Sequence, residues 1–350
     1  MSKYLEELIT KKRNALKTDR LDMSFGELIN MYKEGYLYIA PEYQRVFRWS
    51  IYQQTRFIES VLLGIPIPPI FVAEDDEARW EVVDGLQRIS TIFSFFGLLT
   101  SMPDKNDSTL VEGDIIKKLE GVTISSLTPK IKASIQRAVC RIEIVRWDSE
   151  EDIRYELFNR LNTGASPLSD QEIRNCIFRS YKVDLNSTLK EIAKNTAFNE
   201  IIGPSKNKKE AMFMEELALR FFAFKYLQGA FKKTVPQYLT EFMKDVSSKK
   251  LAFDIASEKE YLENYINFIV KYFGRDVFRP NGQFATHIFD SLAFAVPNTF
   301  PEIEGNEEKI KHSIDELLSD EEYNNIGTST FSNMRIRKRM ERALEIFSKR

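Results

Sequence analysis

Strand-like patterning is confined to the first half of the chain. Residues 140–147 alternate charged residues with isoleucines, a pattern that predicts a half-buried strand. Short apolar and aromatic runs at 36–39, 70–73 and 80–83 predict three more strands. The last two are separated by a short polar turn, which is typical of a hairpin.

Helix starts are marked by a serine followed three residues later by glutamate or glutamine, the capping-box pattern. In the first 180 residues it occurs at Ser24, Ser50 and Ser169, and it predicts helices near 24–34, 50–63 and 169–180. Two further helices are expected at 86–99 and 149–161, each directly after a predicted strand. Helices and strands are therefore interleaved up to about residue 180.

The second half of the chain has a different pattern. After residue 181 helical periodicity takes over, and it predicts helices at 210–228, 236–246, 257–273, 284–296, 306–319 and 331–348. We therefore predict an α+β protein, with a small mixed α/β core at 21–180 and an all-helical domain at 181–350. The charged residues 1–20 are expected to form an N-terminal arm in front of the core.

Composition excludes several classes of function. With 43% hydrophobic and 29% charged residues the chain is typical of a globular protein. The net charge of −2 excludes a polycation that coats nucleic acid, although a local basic patch is compatible with it. Two cysteines and two histidines are too few for a four-cysteine zinc site, a disulfide framework or a histidine-rich metallonuclease.

Targeting signals are not evident in the sequence. The N-terminus lacks the apolar segment of a secretory signal, and no apolar run approaches the roughly 20 residues that a membrane helix needs. We therefore expect a cytoplasmic protein without a membrane partner.

A candidate phosphate site follows the predicted hairpin, where the sequence from residue 84 is Asp-Gly-Leu-Gln-Arg. Gly85 permits a tight turn, and the start of the next helix favours an anion through its N–H groups and dipole. Arg88 adds a guanidinium that matches phosphate geometry, and the hydroxyls of Ser90 and Thr91 follow. The alternative is structural: Asp84 caps the helix, and Arg88 pairs with a surface acid.

Arginines and aromatic residues are interleaved just before the second predicted helix. The stretch contains Tyr43, Arg45, Phe47, Arg48 and Trp49. This mixture suits stacking on bases and contacts to phosphates. The alternative is that Phe47 and Trp49 are core anchors and the arginines are solvated.

A third candidate lies where the helix predicted at 149–161 ends. Asn162 and Thr163 are polar residues that could face a ligand, and Gly164 can end the helix. The alternative is that Asn162 is only a helix stop.

Taken in order, these segments resemble a known family. The motifs PxYQRxxxW at 41–49, DGxQR at 84–88 and FxRLNTG…LSxQEIRN at 158–175 are similar to the N-terminal domain of GmrSD-type restriction endonucleases, domain of unknown function 262. The likeness covers about residues 20–180, and the C-terminal helices are similar to the helical extension of that family. The family is related in fold to ParB and sulfiredoxin.

The resemblance implies a ParB/sulfiredoxin-like core that binds a nucleoside triphosphate, with Mg²⁺ brought by the triphosphate, in bacterial defence against modified or foreign DNA. By this resemblance, the catalytic candidates are Asp84, Gln87 and Arg88. The nucleotide-binding candidates are Gly85, Arg88, Ser90, Thr91, Gln44, Arg45, Asn162 and Thr163. The nucleic-acid-binding candidates are Tyr43, Arg45, Arg48 and Trp49. No residue is assigned to a dedicated metal site.

One position departs from the family motif, which has glutamine where this chain has Leu86. Two alternatives follow. The first is a switch that binds a nucleoside triphosphate and could hydrolyse it, as some members of the family do. The second is a non-catalytic DNA-binding or scaffolding protein with a degenerate pocket. His287 and His312 form no His-Asn-His pattern, so no HNH nuclease is expected in this chain. DNA and a nuclease partner protein are the expected partners, and no oligomeric state is assigned.

Overall fold

The computed structural model describes most of the chain. The described residues are 2–39, 47, 49–100, 102–161, 168–179, 185–228, 233–280, 282–303, 305–326 and 333–349. Compact packing divides the chain into two units, Met1–Leu168 and Ser169–Arg350. The division falls before the helix that follows Ser169, earlier than the boundary at residue 180 that the sequence suggests. Arg174 of that helix is completely buried and bonds to Glu216 of the second unit.

The first unit is built on a mixed sheet of five strands. They are β1 (Thr18–Ser24), β2 (Leu37–Tyr38), β3 (Ile70–Glu74), β4 (Trp80–Asp84) and β5 (Val139–Val145), in the order β1-β5-β3-β4-β2. Strands β3 and β4 form the predicted antiparallel hairpin. Strand β5 is parallel to β3 and antiparallel to β1, and β2 is parallel to β4. The α+β class predicted from the sequence is confirmed.

Strand β1 lies partly in the segment that the sequence assigns to an N-terminal arm. It is an edge strand, and Met23 is its only buried residue. Its charged side chains pair across to β5, with Arg141 at 3.0 Å from Asp22 and Arg20 at 2.9 Å from Glu143. With only two apolar residues in seven, Leu21 and Met23, β1 has too short an alternation to distinguish it from a solvated arm.

Six helices are described in the first unit: α1 (Ser2–Asn14), α2 (Phe25–Glu34), α3 (Ile51–Leu63), α4 (Leu86–Phe95), α5 (Pro129–Arg137) and α6 (Glu151–Leu161). The predicted caps are confirmed at α2 and α3. The hydroxyl of Ser24 accepts the N–H of Glu27, and Ser50 and Gln53 form a complete capping box. These helix starts could be predicted because a cap is a local interaction.

The described part of the second unit contains helices and no strand. They are α7 (Asp170–Ile177), α8 (Leu185–Ala193), α9 (Thr196–Ile202), α10 (Lys206–Glu210), α11 (Phe213–Lys225), α12 (Val235–Ser247), α13 (Ile255–Phe273), α14 (Thr286–Ile303), α15 (Glu307–Ser319), α16 (Glu321–Asn325) and α17 (Asn333–Ser348). The six long helices predicted after residue 181 are confirmed. Helices α8, α9, α10 and α16 were not predicted, because each is too short to establish a clear helical period. None of the described helices is both long and apolar enough to cross a membrane.

Buried charges link three helices of the second unit. Arg220 donates to Asp290 at 2.9 Å and to Glu216 at 3.0 Å, and Glu216 also accepts from Arg174. Burial raises the pKa of Asp290 to about 6, against the attraction of Arg220. Because a buried charge is costly without a partner, this network fixes how α7, α11 and α14 pack.

Candidate functional site

The segment 84–88 forms a tight turn between β4 and α4. Strand β4 ends at Asp84, Gly85 has φ +92° and ψ 11°, and α4 begins at Leu86. A Cβ atom on Gly85 would lie 2.8 Å from Cγ1 of Ile70, a completely buried residue of β3. Both the left-handed backbone and the close approach to β3 require glycine here.

Arg88 fastens this turn to the segment that precedes β3. Its guanidinium donates to the carbonyl oxygens of Pro68 and Pro69, the latter at 3.1 Å, and to Oδ2 of Asp84 at 2.9 Å. Only 13% of the Arg88 side chain is exposed, and burial lowers its pKa although Asp84 opposes the shift. Arg88 thus pairs with the partly exposed Asp84, as the structural alternative has it, and also holds two main-chain carbonyls; its role in nucleotide binding stays a prediction.

The hydroxyls of Ser90 and Thr91 are not brought to the surface of the turn. Both residues are completely buried, and Thr91 donates to the carbonyl oxygen of Gln87 at 2.7 Å. Within the part of the chain that the structure describes, the Ser90 hydroxyl has no hydrogen-bond partner. The cause is the environment of α4, whose residues 89–95 are all buried. A helix covered on all sides buries its polar residues along with its apolar ones.

Gln87 brings the second candidate segment to the turn. Its Oε1 accepts the backbone N–H of Trp49 at 3.1 Å, and the Trp49 carbonyl accepts from Nε2 of Gln54 at 2.9 Å. The Trp49 ring is half-buried, with its centroid 5.8 Å from that of Phe57, while Phe47 is buried. Phe47 therefore anchors the segment in the core, and Trp49 is held at both its main chain and its ring.

Six of the predicted site residues lie outside the described residues. They are Tyr43, Gln44, Arg45, Arg48, Asn162 and Thr163. Their roles in nucleotide or nucleic-acid binding stay predictions. The described residues of the site are those of the turn, its helix and Trp49.

Three contributors to the site were not identified as such from the sequence. The carbonyls of Pro68 and Pro69 accept hydrogen bonds from Arg88. The side chain of Ile70 leaves no room for a Cβ atom at position 85. Pro66, Pro68 and Pro69 are visible in the sequence, but prolines there indicate a rigid segment and do not identify a contact. Arg88 lies about 20 residues after Pro68 in the sequence, and the two residues come together only through the pairing of the strands.

Cys140 of β5 lies within electrostatic range of Arg88. Burial raises the pKa of the Cys140 thiol to about 12, although the positive charge of Arg88 opposes the shift. The thiol is therefore protonated at neutral pH, and it does not supply a nucleophile to the site.

Among the described residues of the turn and its helix, the carboxylate that could meet a metal ion is that of Asp84, which is 38% exposed. Across the described ranges, no group of three histidine, cysteine, aspartate or glutamate residues could hold a metal ion. A single carboxylate oxygen fits Mg²⁺ that arrives on a triphosphate, since such an ion keeps phosphate and water ligands. His287 and His312 lie on separate helices of the second unit, α14 and α15.

The fold is a small α+β domain with a glycine turn between a strand and a helix. Comparison with known families shows which domain it is similar to. Residues 25–179 match the family model described as GmrSD restriction endonuclease, N-terminal domain. Over those residues the chain is similar to that N-terminal domain, and the resemblance inferred from its motifs is confirmed. No curated protein and no solved structure matches the chain. The likeness to ParB and sulfiredoxin stays a prediction.

Proposed function

We propose that this protein is a nucleoside-triphosphate-binding switch of a bacterial restriction or anti-phage defence system. The observation that carries the proposal is the hydrogen bond between Gln87 and the main chain of Trp49. It joins the ends of the two signature segments, 41–49 and 84–88, which are far apart in the sequence. A ligand that moves the turn would therefore also move the main chain of the segment before α3.

The phosphates would bind at the start of α4. Gly85 occupies the N-cap position and has no side chain to bond the first-turn N–H groups. Its left-handed backbone turns the chain into α4, and the dipole and N–H groups at the helix start favour the negative charge. Arg88 would act as a positioning residue that holds the turn in shape, and Arg45 and Arg48 would supply further positive charge.

Asp84 would meet the Mg²⁺ that accompanies the triphosphate. Mg²⁺ neutralises phosphate charge when it is bound. The carboxylate already has Arg88 on one oxygen, so its role would be to orient the ion rather than to hold it alone. Binding of DNA and of a nuclease partner protein would then depend on whether the nucleotide is bound, and both would occur in the cytoplasm.

The test is a calorimetric titration of the full chain with each of the four nucleoside triphosphates in the presence of Mg²⁺. At least one should bind, and inorganic tripolyphosphate should displace it because the turn recognises phosphate. If none binds, the proposal fails, and the alternative of a DNA-binding or scaffolding protein with a degenerate pocket takes its place. Titration with short duplex DNA under the same conditions then tests that alternative directly.

Leu86 offers a test of turnover. It is half-buried at the first position of α4, where the family motif has a glutamine. Replacing Leu86 with glutamine should raise nucleotide hydrolysis about fivefold, because a hydrogen bond made only in the transition state is worth about 1 kcal/mol. Affinity should change little, since such a bond does not act in the ground state.

Phosphate release, nucleotide affinity and melting temperature are measured on wild type and on Leu86→Gln. The matched control is Leu86→Met, which keeps an apolar side chain of similar volume and should change none of the three. A wild type that already turns over rapidly, with no gain from Leu86→Gln, would show that the leucine is a neutral substitution.

A further inference from the structure

A cavity of about 330 Å³ opens between α13 and α14 in the second unit. Its wall carries five aromatic rings, those of Tyr261, Tyr265, Phe268, Tyr272 and Phe300. This volume lies within the range of small-molecule sites, which combine an apolar lining with a few polar groups. The cavity is separate from the turn at Asp84 and belongs to the helical unit alone.

The rings of this cavity are held in place by their neighbours. The centroid of Phe268 lies 4.9 Å from that of Tyr272 and 5.8 Å from that of Phe300. Helix α11 supports the other end, with Phe221 at 4.6 Å from the Tyr265 ring and Nζ of Lys225 at 3.8 Å from the Tyr261 ring. A flat ligand that enters therefore meets a preformed aromatic wall, at little cost in side-chain ordering.

Two amides supply hydrogen-bonding capacity at the wall. Asn264 and Asn267 are exposed and line the cavity, and neither side-chain amide forms a hydrogen bond with any residue that the structure describes. Each amide offers one acceptor and two donors, which suits a ligand edge that carries both kinds of group. A purely apolar ligand would leave this capacity unused.

The charge at the cavity is balanced. Nζ of Lys271 lies 2.6 Å from the hydroxyl of Tyr272 and 3.2 Å from a carboxylate oxygen of Glu307. Because the cation is already paired, it gives little attraction for a phosphate group. The ligand that fits is therefore neutral, planar and aromatic, with donors and acceptors along its edge.

We propose that this cavity binds a nucleobase, stacked on the aromatic wall and bonded along its edge by Asn264 and Asn267. Stacking on tyrosine or phenylalanine and pairing with an amide are the usual means by which proteins hold an unstacked base. The base has two sources, a free nucleoside or an exposed base of a single strand. The proposal does not depend on nucleotide binding at the turn.

The test titrates the full chain with the common nucleosides and, in a second arm, with short single strands of one base. Calorimetry gives affinity, and saturation-transfer NMR should show the strongest effect at the base protons. The Asn264→Ala/Asn267→Ala double variant should bind about tenfold more weakly, because it loses the hydrogen bonds to the base edge. The matched control is Glu263→Ala, which removes an exposed polar side chain of α13 outside the cavity.

Each outcome decides the proposal. Nucleoside binding that the double variant loses supports a free nucleoside, and binding of single strands alone, lost in the same variant, supports a base in a nucleic acid. No binding in either arm, or equal binding by the double variant, overturns the proposal. Nucleosides carry no phosphate, so a failure here is distinct from a failure of the triphosphate site.

Discussion

Replacing Arg88 with alanine should lower the free energy of unfolding of the first unit by about 2–4 kcal/mol, because three hydrogen bonds of a largely buried cation are lost. The carbonyls of Pro68 and Pro69 and the carboxylate of Asp84 lose their shared partner. Triphosphate binding should fall at least tenfold, since the turn loses the side chain that holds its shape. Urea unfolding and calorimetric titration measure the two effects.

A matched control is available in the hairpin that precedes this turn. Arg79 pairs with Asp75 four residues earlier, as Arg88 does with Asp84, but 46% of its side chain is exposed. Arg79→Ala should change stability by no more than about 0.5 kcal/mol and leave nucleotide affinity unchanged. If Arg88→Ala is as stable as Arg79→Ala yet binds no triphosphate, Arg88 contacts phosphate directly, and its positioning role is wrong.

The parts of the fold that could be predicted are those set by neighbouring residues. The caps at Ser24, Ser50 and Ser169 depend on a residue three positions away, and the hairpin depends on one short turn. Long helices after residue 181 repeat their apolar positions often enough to establish a period. Interactions of this kind involve residues close together in the chain, so the sequence alone predicts them.

The parts that could not be predicted depend on contacts between distant residues. Strand β1 exists because its main chain pairs with β5 from Thr18 to Ser24, and neither strand alone shows this pairing. Ser90 and Thr91 are buried because other elements cover α4 on every side. Arg88 was correctly placed near the turn, but its partners at Pro68 and Pro69 required knowledge of how β3 packs.

These contacts change how the candidate site is interpreted. The sequence suggested that Arg88, Ser90 and Thr91 face the phosphate, whereas the structure places their polar groups in internal contacts or in the core. What remains accessible at the turn is the start of α4, where Leu86 and Gln87 are half-buried, whereas Gly85 is buried and sets the direction of the turn. The conformation of that glycine is therefore the feature on which phosphate binding should depend most.

Replacing Gly85 with alanine should cost about 2–4 kcal/mol of stability and weaken triphosphate binding at least tenfold. The cost has two parts: a left-handed backbone at a residue with a side chain, and a Cβ pressed against Ile70 at 2.8 Å. Because Ile70 is completely buried in the central part of the sheet, the turn must move instead. That movement would displace the N–H groups proposed to hold phosphate.

Gly35 separates the two parts of this cost. Its φ of 81° and ψ of 8° are close to the 92° and 11° of Gly85, but a Cβ there would have no atom within 4 Å. Gly35→Ala should therefore cost only about 1–2 kcal/mol, the backbone part alone, and leave nucleotide affinity unchanged. In Gly85→Ala/Ile70→Ala the two substitutions should cost less than the sum of the single variants, because the second removes the clash. Equal losses of stability for Gly85→Ala and Gly35→Ala, with nucleotide affinity intact in both, would show that the close approach to β3 does not shape a phosphate site.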